Sequence, residues 1–150
     1  MLEMKTSRGP IDPLQVAALE QYLGHPLPTP YRQFLLEYNG GRPKSDGYYV
    51  WQIKQHVLVD GFYSICEKPA DSLLVHYAIY QGRMPRNLLP IGWDPFGNQY
   101  VISLYGEDTG KVYFWHHEHE YLDGREPDYH NVSPIADSFD QFAAALVVLP

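Results

Sequence analysis

A single cysteine, Cys66, stands in the 150 residues, so no intrachain disulfide framework is available and stability must come from burial. Cationic side chains are also scarce: eleven Lys and Arg face eighteen Asp and Glu, for a formal net charge of −7. The few cations form no cluster. Phosphate-backbone binding needs a basic footprint, so nucleic acid is not an expected partner. No apolar run approaches the roughly 18 residues of a membrane span. The opening Met1-Leu2-Glu3-Met4-Lys5 leads into no apolar stretch of the kind a signal peptide carries. A cytoplasmic protein without a membrane partner is the expectation. Also missing are a Gly-x-Ser-x-Gly elbow, a phosphate loop and a His-Glu-x-x-His helix. With these absences the chain is not expected to be an enzyme or to carry a cofactor, and no catalytic residue is nominated.

What is present is apolar and aromatic. Hydrophobic residues make up 45% and aromatic residues 15%, with 13 Tyr, which suits half-buried strands and binding surfaces alike. The length fits one domain, 1–150, large enough to bury a core. Asp12-Pro13 is a helix start, an N-cap acceptor followed by Pro where its missing N–H does no harm. Val16, Leu19, Tyr22 and Leu23 then recur at helical spacing until Gly24. After Pro26 and Pro28, Thr29-Pro30 repeats the start signal. Tyr31, Phe34, Leu35 and Tyr38 form one stripe that Asn39-Gly40-Gly41 ends.

Tyr48–Ile53 and Val57–Ile65 read as strands, the second with a bulge or hairpin turn at Asp60-Gly61. Asp71-Ser72 starts a third helix with Leu74, Tyr77, Ala78 and Gln81 along one side and Gly82 after it. Leu88–Ile91 and Gln99–Tyr105 flank a loop, Trp93-Asp94-Pro95-Phe96-Gly97, and Val112–His116 follows the Gly106–Gly110 turn. In the middle strand Tyr100, Ile102 and Leu104 face one way, Val101, Ser103 and Tyr105 the other. Ser138-Phe139-Asp140-Gln141 is a capping box opening a last helix. The order ααββαβββα predicts an α+β domain: a mostly antiparallel sheet of about four to six strands with about four helices packed around it.

Four stretches, in one order, resemble the SUKH superfamily, which joins the fungal Smi/Knr cell-wall regulators to many bacterial immunity proteins. The first is Leu27-Pro28 leading to Tyr31-Arg32-Gln33-Phe34-Leu35-Leu36 and Asn39-Gly40-Gly41. The second is Asn87-Leu88-Leu89-Pro90-Ile91-Gly92 followed by Gly97-Asn98, and the third is Gly110-Lys111-Val112-Tyr113-Phe114-Trp115-His116-His117-Glu118. The fourth is Ser138-Phe139 before Phe142. Tyr48 to Ile65 matches least. The resemblance implies a non-enzymatic protein-binding domain, in bacteria one that neutralises a cognate toxin, as in polymorphic toxin systems. In fungi it implies a regulatory scaffold, and the alternative of a small-ligand-sensing domain stays open beside it.

Two segments are candidate contact surfaces. In the 93–97 loop, Trp93, Asp94 and Phe96 either stand out towards a partner or, for the two aromatics, fold back over the sheet. Between 118 and 128 the acids Glu118, Glu120, Asp123, Glu126 and Asp128 face only Arg125, with Tyr121, Tyr129 and His130 interleaved. Such a run is commonly a solvated loop. Alternatively, its aromatic anchors amid negative charge suit a basic protein such as a nuclease toxin. The partner-binding candidates are therefore Trp93, Asp94, Phe96, Glu118, Glu120, Tyr121, Asp123, Glu126 and Tyr129. His116 to Glu120 invites a metal reading, with His117 and His119 sharing one face if the strand continues. A closed site needs about four ligands and nothing completes the set, so no metal is expected. Cys66 follows an apolar strand, the setting of an inert thiol.

Overall fold

The computed structural model describes residues 2–149. Helix α1, Pro13–Leu23, begins where Asp12 accepts a hydrogen bond from the Leu14 N–H at 2.9 Å, and Gly24 closes it in the left-handed region. Helix α2, Thr29–Tyr38, starts one residue early: Pro28 holds the cap position and no side chain caps the helix. Asn39 ends it at φ 47°, where its amide grips the chain 26 residues on, donating to the Ile65 carbonyl and accepting from the Ile65 N–H. Helix α3, Leu73–Ile79, is capped by Ser72, but Leu73 is its buried residue and Leu74 is exposed, one position out of phase with the predicted stripe. Helix α4, Phe139–Ala144, is capped by Ser138 as expected, while Gln141 reaches back to the Asp137 N–H.

Among the described residues, nine strands join these helices. β1 (Met4–Thr6) and β2 (Arg42–Pro43) make one pair, and β3 (Gly47–Val50) and β4 (Gln55–Leu58) make a hairpin. The main sheet is antiparallel in the order β5 (Gly61–Phe62), β6 (Leu88–Trp93), β7 (Gln99–Ser103), β8 (Val112–Trp115), β9 (Val132–Ala136). The predicted strand Val57–Ile65 is thus two strands in different sheets. Asp60 and Gly61 carry the chain from hairpin to main sheet rather than forming a turn between paired strands. β1, β2 and β9 are not among the strands expected from the sequence.

Both faces of the main sheet are covered, which explains its consecutive buried residues. On one face Tyr100, Ile102, Val112 and Phe114 meet the helices. Phe34 of α2 lies 4.9 Å from Phe139 and 5.1 Å from Phe62, and Phe142 stacks on Tyr100 at 5.5 Å. Burying each such ring contributes roughly 1.5–3 kcal/mol. On the other face Leu88, Val101, Tyr113, Trp115 and Val132 form a smaller cluster with Met84, roofed by Tyr80. The alternation read at 100–105 therefore separates two cores rather than core from solvent.

Candidate functional site

The loop after β6 is organised by a buried carboxylate. One Asp94 oxygen accepts from the Phe96 and Asn98 backbone N–H groups at 2.9 and 2.8 Å, and the other accepts from the Asn98 amide at 2.8 Å. Gly97 takes φ +93°, with the His117 ring 3.4 Å from the position of an added Cβ. Asn98 in turn accepts from the His117 N–H at 3.1 Å, so the loop is fastened to the end of β8. Phe96 is left outside, 72% exposed. Trp93 folds back instead: its indole stacks on Tyr63 at 4.7 Å and donates to Asp60 at 3.0 Å. Of the three loop residues proposed to stand out, only Phe96 does; Asp94 builds the loop and Trp93 lies against the sheet.

Beside this loop a cleft of about 390 Å³ opens between the β4 strand and the ends of β7 and β8, lined by His56, Asp94, Phe96, Phe114, His116 and Glu118 among others. His116 lies half-buried, edge-on to Phe114, with its Nε2 3.2 Å from the Ser133 hydroxyl. Burial pushes its pKa below the ordinary histidine value, helped by His119 and His117 and opposed by Asp94 and Glu118. From His56 the aromatic surface continues outward: Tyr49 packs on His56 at 5.0 Å and Trp51 on Tyr49 at 4.6 Å. Trp51 is 78% exposed. This hairpin surface was missed in the sequence because the predicted strand ran through Trp51 to Ile53. In the structure β3 ends at Val50, and the following turn places Lys54 at φ 53°.

The acidic segment is an ordered cover over the second core. Arg83 forms two hydrogen bonds to the Glu120 carboxylate, at 3.1 and 2.8 Å, while its guanidinium lies over the Tyr80 and Trp115 rings. Asp123 pairs with Arg125 at 2.9 Å, and Arg125 lies 4.4 Å over Tyr121. Tyr121 stacks on His130 at 4.1 Å and donates to Asp128. Tyr129 donates to Asp108 at 2.7 Å, and Asp108 also accepts from Tyr113 and Ser103. Arg125 is therefore not the only opposing charge; Arg83, 37 residues away from Glu120, joins it. Among the described residues, Glu118 and Glu126 are the acids of this stretch without an ion pair.

The sequence-nominated residues thus fall in three places. Asp94, Phe96 and Glu118 share the cleft; Trp93 sits at the sheet edge; Glu120, Tyr121, Asp123, Glu126 and Tyr129 belong to the loop running over the opposite face. The His-rich stretch is corrected too. His117–His119 is a 3-10 turn, so strand alternation does not set its faces. Among the described residues no three His, Cys, Asp or Glu side chains converge as a metal-holding group. Cys66 is half-buried with its sulfur 3.6 Å from the Lys68 carbonyl.

A family model described as SMI1 / KNR4 family (SUKH-1) matches residues 10–145. The chain belongs to this SUKH-1 family. Its match begins just before the first helix cap and ends inside the last turn after α4, so the whole main sheet is SUKH-1 sheet. The SUKH-1 chain is also similar to a protein of Bacillus subtilis strain 168 described as SPbeta prophage-derived uncharacterized protein YokK. The two are 29% identical over 153 residues, covering 91% of this chain and 74% of the relative. Among the described residues of the SUKH-1 fold, no helix is long and apolar enough to cross a membrane.

Proposed function

We propose that this SUKH-1 protein is a non-enzymatic, cytoplasmic immunity protein that binds a cognate bacterial toxin stoichiometrically and covers its functional surface. The observation that carries the reading is the pair of exposed aromatics: Phe96, which lines the cleft that Glu118 borders, and Trp51, joined to the cleft wall through Tyr49 and His56. Exposed rings held by a locked loop and a hairpin lose little freedom on binding and make good interface anchors. The net charge of −7 favours encounter with a basic partner such as a nuclease. Membership of the SUKH-1 family and a prophage-derived relative support the same reading. Within the nominated residues, Phe96 and Glu118 make the central contacts and Asp94 acts by presenting Phe96, while Tyr121, Asp123, Glu126 and Tyr129, on the loop over the opposite face, form a second candidate surface. Trp93 and Glu120 act through the elements they hold.

A second reading, a regulatory or small-ligand-sensing domain, draws on the cleft itself, whose roughly 390 Å³ reaches the size of ligand pockets. One experiment separates the two. The tagged protein is immobilised in lysate of its own source at moderate salt, and the recovered partner is purified and assayed with and without it. A single toxin domain, inhibited at one-to-one stoichiometry and lost from the Phe96→Asp and Trp51→Ala variants, supports immunity. Recovery of several housekeeping or envelope proteins, equally retained by both variants, overturns it in favour of the regulatory reading.

A further inference from the structure

At the β5 edge of the main sheet lies a smaller cleft of about 210 Å³, where β1, β2 and β5 meet, and its chemistry is different. Hydrogen-bond donors crowd it. Arg8 crosses its mouth and spends one nitrogen on Asp71 at 3.1 Å, while Arg42 spends Nη1 on the Asp60 carboxylate and carbonyl. Each guanidinium carries five N–H donors, so each keeps an Nε and a further terminal nitrogen without a protein acceptor among the described residues. The Ser7 hydroxyl accepts from the Gly9 N–H and the Thr6 hydroxyl from the Arg42 N–H, which leaves both hydroxyl protons to donate.

Ser64 is the deepest of these groups. It is 2% exposed and lines the cleft, where its hydroxyl can donate to a ligand. Space around it is kept open by glycine: a Cβ at Gly40 would lie 2.3 Å from the Ser64 oxygen. At Gly41, φ +116° and a Thr6 carbonyl 2.0 Å from the would-be Cβ keep β1 pressed to β2, so Arg8 and Arg42 stay on the same cleft. Charge agrees with the donors. Arg8, Arg42 and Lys68 face Asp60 and Asp71, with Lys68 3.6 Å from Asp71, so this is a locally cationic place on an acidic protein. Asp60 is consumed by Arg42 and Trp93, and Asp71 by Arg8 and Lys68. On the remaining wall stands the Trp93 indole, lying across Gly61, with Phe62 behind it.

We propose that this edge cleft binds a phosphate group, held by Arg8, Arg42 and the hydroxyls of Ser7 and Ser64. Unprotonated phosphate oxygens accept hydrogen bonds, and the unspent guanidinium N–H groups and hydroxyl protons lining this cleft are donors that suit them. The source is either free phosphate or a small phosphomonoester whose organic part rests on Trp93. The cleft shares Trp93 with the residues nominated for the protein partner but includes neither Phe96 nor Glu118, so Phe96→Asp leaves it intact.

Calorimetric titration of the full chain with inorganic phosphate and with phenyl phosphate, against matched chloride, tests this. Saturable one-to-one binding is expected, with a shift of the Trp93 indole N–H resonance. Arg42→Gln weakens it about tenfold, the effect of losing one charge-assisted contact, and Ser64→Ala weakens it several-fold while the melting temperature holds. Arg8→Lys retains charge without the fork and loses less than Arg8→Gln. Tighter binding of phenyl phosphate assigns an organic phosphate; equal affinities assign the free ion. Absence of saturable binding by either probe overturns the proposal, as does an affinity that Arg42→Gln and Ser64→Ala leave unchanged.

Discussion

Asp94 satisfies three donors within five residues, and that single carboxylate decides how Phe96 is presented. Replacing it with Ala strips the acceptor from two backbone N–H groups and one amide in a place that is 5% exposed. Each buried donor left unmade costs about 1–3 kcal/mol, reduced where water enters. Asp94→Ala is expected to lower stability by about 2 kcal/mol in urea unfolding, and Asp94→Asn by less because one oxygen remains. A loss below about 0.5 kcal/mol would show that the loop stands without its clamp. Tyr31 is the opposite case. It is fully buried, its hydroxyl has no partner among the described residues, and burial raises its pKa far above the usual phenol value. Tyr31→Phe removes that unpaired oxygen while keeping the ring that packs on Phe139 at 5.4 Å. It is expected to leave stability unchanged or raise it by up to about 1 kcal/mol. A comparable decrease would mean that a buried water serves the hydroxyl.

Elements differ in how openly the sequence announces them. α1 and α2 are legible because their punctuation is local: Asp12-Pro13 at one start, Gly24 and Asn39 at the ends. β9 is hidden because Pro134 interrupts the strand and two buried residues, Val132 and Ser133, stand side by side, so neither propensity nor alternation marks it. The acidic segment shows the same limit at a functional place. Its charges read as solvated because Arg83, the partner of Glu120, lies 37 residues back along the chain, with β6, β7 and β8 between them. Glu120 keeps 15% side-chain exposure under that guanidinium. Arg83→Met keeps the apolar stem over Trp115 and removes the two charged hydrogen bonds. Amide exchange across residues 118–131 is expected to quicken about tenfold, with global stability falling by about 1 kcal/mol. Unchanged exchange in the loop would show that Tyr121, Tyr129 and His130 hold it alone.

For the whole molecule, the two-sided sheet explains what the alternating strands could not say: loops, as well as helices, close a core here. That arrangement places titrating groups of opposite tendency under one fold and sets the pH range in which it is most stable. On the acid side, burial depresses the His116 pKa. Its unfolded value lies near 6.5, so its contribution is fully present above about pH 6.5 and is lost as pH falls towards the folded value. Lower still, Asp108 acts. Burial alone would raise its pKa, but hydrogen bonds from Tyr129, Tyr113 and Ser103 hold it below the usual carboxylate value. Its contribution is present above the unfolded carboxylate range, near pH 4, and is lost as pH falls through the folded value. On the alkaline side, burial and the Asp108 carboxylate push Tyr129 up to about 12. A raised phenol pKa stabilises fully below the unfolded value of about 10 and is lost as pH rises towards 12. Urea midpoints measured from pH 4 to 11 should therefore fall off at both ends. His116→Gln should flatten the decline just below about pH 6.5 and leave the alkaline limb unchanged. Tyr129→Phe should make the alkaline limb shallower, the raised phenols of Tyr63 and Tyr113 carrying the rest, and should soften the decline near pH 4 because Asp108 loses one of its donors. An acid decline that survives His116→Gln in full would sink the assignment, because no other change on that limb removes a buried imidazole from beside Phe114.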